Sequence, residues 1–364
     1  MEESIPVLSK RGPKQLQLRT DAIRMMHLKR LPSDRQLRYK NRRLVFAFAF
    51  CAPAALSGCG GSQVQPAPSA PSQQSAAAAK VPAATRSWMA PAAKRDDLLY
   101  VSNLSPAEVS VYSYRGGELE GTLTGFGAPE GECTDKAGDV FISDARSEKV
   151  FEYAHGATSP LATFVDSRQS PGGCAVDRKT GTLAVASLGG DDDATGNVAI
   201  YAGGPSGKPT VYTDPSFVSF SKCTYDDQGN LFVDGTEMDG QFEFAELPAG
   251  GSELENVSLN QPPVIAGAVQ WDGTYVTVED QGVASEGSTI YQYTISGTTG
   301  TEVGSTTLGG STDVIQTWIH GKTVVGPDAS GKIFLWHYPS GGTAYKTITG
   351  TGEQTGAAVS LAPR

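Results

Sequence analysis

Histidine is scarce, four in 364 residues, and none of the five cysteines pairs with another as CxxC. Neither usual zinc signature is therefore present. His155, His320 and His337 stand beside no GxSxG or similar nucleophile element. Ser-His-Asp chemistry has no starting point here, and the three read as turn or surface residues. Positive charge is short once the leading segment is set aside. Residues 1–58 hold 12 Lys or Arg against four acids; from residue 59 on, 17 basic face 35 acidic side chains, a net charge near −18. Such a body repels phosphate backbones and anionic headgroups, which excludes nucleic acid as a partner and leaves cations and cationic surfaces open. From residue 96 onward no segment keeps a helical period beyond a turn or two. The one long apolar run, Leu44 to Leu56, falls short of the roughly 20 residues of a membrane span.

What is present is turn chemistry, with 43 Gly and 22 Pro, as a β protein of many short strands requires. At the start stand a basic cluster, "RQLRYKNRR", the apolar run and then "LSGC", Leu56 to Cys59. That order is the plan of a secretory signal, and LSGC resembles the bacterial lipobox. The resemblance implies cleavage before Cys59, lipidation of Cys59 and loss of residues 1–58, with Met25 or Met26 as a candidate internal start. Gly60 and Gly61 follow without the aspartate that retains such lipoproteins at the inner membrane. The implied address is an extracytoplasmic, membrane-anchored one, at the outer membrane or periplasmic face. Residues 59–95 are rich in Pro, Ala, Ser and Gln, cannot offset their ordering entropy, and read as a disordered tether.

From residue 96 to 364 a four-residue signal ending in an aromatic recurs: "VSVY", "VFEY", "VAIY", "QFEF", "IYQY" and "IFLW". The terminal aromatics Tyr112, Tyr153, Tyr201, Phe244, Tyr293 and Trp336 lie 41, 48, 43, 49 and 43 residues apart. That is the interval of a four-stranded propeller blade. From Val101, Ile142, Val233 and Val325 to the blade's aromatic the distance is 11 residues each time; blades three and five carry longer loops, "SLGGDDDATGN" and "EDQGVASEGS". Blade one lacks a first strand of its own, and "TGAAVSLA", Thr355 to Ala362, supplies one. The expectation is an all-β, six-bladed propeller closed by pairing the C-terminal strand with the N-terminal blade, which removes a free edge, and the chain is expected to be a monomer.

Cys133, Cys174 and Cys223 occupy one slot in the innermost strands of blades two to four. Small apolar packing residues are expected there. A disulfide is not expected, since three thiols remain after the signal leaves and equivalent positions of neighbouring blades should exceed the roughly 7 Å bridging limit. "TYDDQGN" lacks the EF-hand frame and reads as a tight turn.

The strand, Asp/Gly turn, "LFVDG"-type strand and aromatic strand together resemble NHL-repeat and gluconolactonase-like six-bladed propellers, over about three quarters of the chain. The lactonases of that group hold a metal at the axial mouth with Glu, Asn and Asp. The corresponding positions here are Gly131, Gly172 and Ser221, with Glu130 nearby, so the metal constellation is not carried over. The function expected is a lipid-anchored binding or protein-interaction scaffold for a protein or small-molecule ligand, with a metal-assisted hydrolase or lyase at the axial mouth as the alternative. The face carrying the second-to-third strand loops is expected to present Asn103, Asp144, Asp234 and Asp328 for binding. Asp191, Asp192, Asp193, Glu279 and Asp280 are expected to add an acidic rim, for which Ca²⁺ is the fitting cofactor.

Overall fold

The structure, a computed structural model, describes residues 86–190, 195–282 and 287–363. The signal segment, Cys59, tether residues 59–85 and Asp191 to Asp193 lie outside them. The described residues form six sheets around one axis. Five blades take their strands in order, innermost first. Their innermost strands are Pro129–Thr134, Pro171–Val176, Ser219–Tyr225, Ala266–Trp271 and Trp318–His320 in blades two to six.

Blade one closes the ring. Its innermost strand is Glu353–Ser360, antiparallel to Leu98–Ser105 in the register Leu98↔Ser360 to Ser105↔Glu353. At its outer edge Trp88–Met89 pairs with Leu119–Thr124. Strand pairing thus begins inside the stretch that composition assigns to the tether. Blade five has a covered outer edge, because Thr299–Gly309 is flanked by parallel two-residue strands Ser258–Leu259 and Gly342–Thr343.

Side chains alternate across each sheet, and both faces meet another blade. Leu98 and Tyr100 pack with Val140 and Ile142 of blade two; Leu99 and Val101 pack with Val325 and Ile333 of blade six. Strands buried on both faces read as unbroken apolar runs, and each Leu or Val so placed contributes about 2 kcal/mol.

Equal sequence spacing does not give equal register. Tyr112, Tyr153, Tyr201 and Tyr293 face Leu99, Val140, Leu183 and Val276. In blade four the matching residue Leu231 faces Leu247, while Phe244 faces Asp234. A longer hairpin between Thr236 and Phe242 shifts the slot by three, so that Tyr201, Leu247 and Tyr293 stand an even 46 residues apart.

Candidate functional site along the propeller axis

The innermost strands are irregular where they line the axis. Register shifts fall between Pro129 and Glu132, Phe220 and Cys223, and Ala266 and Val269. Such bulges re-aim side chains. The residues turned inward there are mostly glycines, because the strands come too close for anything larger. A Cβ on Gly131 would lie 2.6 Å from the Gly172 carbonyl oxygen, one on Gly173 would lie 2.6 Å from Lys222 Cδ, and one on Gly356 would lie 2.7 Å from Gln316 Oε1.

Two long polar side chains fill the space the glycines leave. Lys222 is 4% exposed, and its Nζ donates to the Gly172 carbonyl at 2.8 Å. Gln316 of blade six reaches past blade one to blade two, where it accepts from Glu132 N and donates to Glu132 O, both at 2.9 Å. Together they plug the axis.

On one side of the plug lies a cavity of about 370 Å³, opening on the face of the first-to-second strand turns. Val176, Tyr225, Trp271, Trp318 and Ile319 wall it, and Lys222, Gln316 and Thr317 form its floor. Trp318 packs against both the blade one/six core and the blade two/three core, which places its ring across the axis. The Trp271 indole N–H is buried and has no acceptor among the described residues. At the mouth stand Arg178, exposed Asp227 and His320. His320 lies edge-on to Tyr114 at 5.7 Å, and burial lowers its pKa.

Three acids are buried between blades around this plug. Glu132 accepts from Ser102 Oγ at 2.7 Å, its other oxygen has no partner among the described residues, and burial pushes its pKa up to about 8 against that hydrogen bond. Glu279 accepts from Ala268 N, Thr317 N and Thr317 Oγ1, and burial still raises it to about 7. Asp234, at the matching position of blade four, accepts from Lys222 N at 2.8 Å and is likewise raised by burial.

The remaining acids expected at the rim brace the loops that enter the innermost strands. Asp144 accepts from Gly127 N and Ala128 N at 2.8 and 2.7 Å. Asp280 does the same for Val264 N and Ile265 N, and Asp328 for Thr312 N and Asp313 N. Burial pushes Asp328 up, but the bonds from Ser330, Thr312 and Asp313 outweigh it and leave its pKa lowered. Asn103 donates to Val101 O, Glu108 O and Ser110 Oγ. Asn103, Asp144, Asp234, Glu279 and Asp328 are fully buried and Asp280 nearly so. They meet backbone where an open rim was expected. Among the described residues no three His, Cys, Asp or Glu side chains are arranged to hold a metal ion. Glu130 is buried.

The cysteines require a correction. Cys133 and Cys174 form a disulfide across a Cα separation of 5.7 Å. They do not share one slot: Cys174 and Cys223 face Val185 and Val233, whereas Cys133 is one residue further on, facing Phe141, with Glu132 opposite Ile142. That single step turns Cys133 toward blade three and Cys174 back toward it. Cys223 is a free, buried thiol whose pKa burial raises to about 12.

Of the histidines, His155 Nδ1 lies 2.6 Å from Ser360 Oγ, but that hydroxyl is fully buried and donates to Gly138 O, so it is no nucleophile. His337 stacks on Tyr345 at 4.5 Å. "TYDDQGN" is a tight turn in which Asp226 Oδ1 accepts from the N–H groups of Gln228, Gly229 and Asn230, with Gly229 at φ 92°. Lys222 had a signal in the sequence: a lysine in "SKC", where blades two, three and five place Gly131, Gly173 and Ala268.

Fold and axis define a six-bladed β-propeller with a plugged axis and, beside the plug, a cavity of mixed polar and aromatic lining. No family model matches the chain, and no curated protein matches it either. Among solved structures, one from the crystal structure of a nidogen/laminin complex is similar at 13% identity and a TM-score of 0.57, covering 74% of this chain and 99% of that one. Another, a protein of unknown function from Bacteroides caccae, is similar at 12% identity and a TM-score of 0.54, covering 73% and 99%. At such identities the likeness establishes the fold alone.

Proposed function

We propose that this chain is a lipid-anchored, extracytoplasmic binding module of the NHL-repeat type that seats a small ligand in its axial funnel. The cavity of about 370 Å³ beside the Lys222–Gln316 plug carries this reading, because small-molecule sites are concave and present placed polar groups beside aromatic side chains. A channel open at both ends would suit passage; a floor made by Lys222 and Gln316 suits retention. The nidogen/laminin structure is a complex of proteins; a concave axial cavity of about 370 Å³ favours a small molecule over a protein surface here.

Two features support the address. LSGC ends a charged and apolar leader, and the Cys133–Cys174 disulfide suits an oxidising compartment. Cys59→Ala is expected to move the protein from the membrane fraction to the soluble fraction with an unchanged melting temperature; continued membrane association refutes the anchor. For the seat, a thermal-shift screen of small metabolites should find at least one that stabilises the wild type and leaves Trp318→Arg, whose longer charged side chain obstructs the funnel, unmoved.

A further inference from the structure

Both anchors of the plug lie beside the disulfide. Gln316 is held by the N–H and the carbonyl of Glu132, both at 2.9 Å, and Glu132 adjoins Cys133. Lys222 Nζ donates to the Gly172 carbonyl at 2.8 Å, and Gly172 stands two residues before Cys174. Between these anchors the innermost strands of blades two and three nearly touch: a Cβ on Gly131 would lie 3.0 Å from Gly173 Cα and 3.2 Å from Gln316 Oε1. The crosslink thus fastens together the two segments on which side chains from blades four and six come to rest.

The bulge between Pro129 and Glu132 sets the phase of the first of these segments, and a slip of one residue turns every side chain of a strand to its other face. In the observed phase Cys133 meets Cys174, and the buried Glu132 carboxyl keeps one oxygen without a partner among the described residues. An oxygen so placed is costly, so the crosslink holds a segment that has reason to shift. Cys133 and Cys174 also line the cavity, which gives a small reagent a route to their sulfurs.

We propose that the Cys133–Cys174 disulfide is a redox-operated clamp on the axial plug: closed, it sets Glu132 and Gly172 for Gln316 and Lys222; opened, it lets the plug loosen and the cavity floor shift. The opening agent is a small dithiol. One of its thiolates attacks a cystine sulfur and the S–S bond breaks, leaving a mixed disulfide and one cysteine thiolate; its second thiolate then closes the reagent to a cyclic disulfide and releases the other cysteine. Two electrons and two protons pass to the protein, which ends with two thiols. The clamp acts whether or not the cavity holds a ligand.

The test treats the folded full chain with dithiothreitol, maps reduction by alkylation of Cys133 and Cys174, and follows hydrogen exchange by mass spectrometry. Reduction is expected with the circular dichroism unchanged. Exchange should become at least about tenfold faster in residues 129–134 and 171–176 and also in 219–225 and 314–320, which carry Lys222 and Gln316, while 288–296 in blade five stay as they were. The double variant Cys133→Ser, Cys174→Ser should show the same pattern without reductant; if it does not fold, the wild-type comparison decides. Faster exchange confined to 129–134 and 171–176 makes the bond a local staple and overturns the clamp. A disulfide that resists dithiothreitol until the sheets melt, or a loosening that includes blade five, overturns it as well.

Discussion

Glu132 has no exposed surface and one hydrogen-bonded oxygen, so its environment favours the protonated carboxyl. Its folded pKa of about 8 stands above the ordinary 4.5. Below 4.5 folded and unfolded chains both hold the proton, and the contribution to stability is complete. Between 4.5 and about 8 the unfolded chain releases a proton that the folded one keeps, so stability is lost as pH rises through that window. Glu279, raised to about 7, acts in the same direction. The melting temperature is therefore expected to fall from pH 5 to pH 8, and Glu132→Gln, which keeps an acceptor for Ser102, should flatten the fall; parallel curves for wild type and variant would refute this. Asp144 shows the opposite economy, a buried carboxylate consumed by two backbone donors. Asp144→Ala orphans both and should cost about 2–4 kcal/mol in chemical denaturation, against about 0.5 kcal/mol or less for exposed Asp227→Ala. A sequence shows that an aspartate ends a strand. It does not show whether the carboxylate faces water or turns back onto the next loop, and that is why Asp144 and Asp328 read as an open rim.

At the scale of strands, the legible part is whatever repeats locally. The second and third strands of each blade form a hairpin, and their aromatic and β-branched residues recur at blade intervals because each hairpin closes on itself. Innermost strands answer to neighbours some 40 residues away, and their bulges leave no mark on local periodicity. A one-residue difference of phase between Cys133 and Cys174 decides whether two thiols face each other. The cysteine spacing of 41 residues equals a blade interval, which made equivalent positions the natural reading. The crosslink closes a 41-residue loop, worth at most about 4 kcal/mol by the chain-entropy model. The double variant Cys133→Ser, Cys174→Ser should melt several degrees below wild type and be insensitive to dithiothreitol, whereas the wild type should drop to meet it on reduction. A reductant-insensitive wild type would argue against the bond.

The molecule as a whole is held by a seam. Six sheets pack face to face, and the ring is fastened where Glu353–Ser360 enters blade one. Removing residues 353–364 should strip the inner face from blade one, expose the cores it shares with blades two and six, and lower the melting temperature by well over several degrees; a variant that melts with the wild type would refute closure. This feature was legible because a missing strand at one end and a surplus strand at the other are both visible in a linear sequence. The axial plug was not, since Lys222 and Gln316 meet only once the ring has formed.

A chain made on the ribosome from its amino end presents the strands of blade one first and their innermost partner last. Until Ser360 has emerged, blade one keeps an unpaired edge and the other five blades remain an open arc, with nothing to bring Gln316 onto Glu132. The plugged axis is thus a property of the completed polypeptide, and a nascent chain halted before residue 353 carries five complete blades and an open ring.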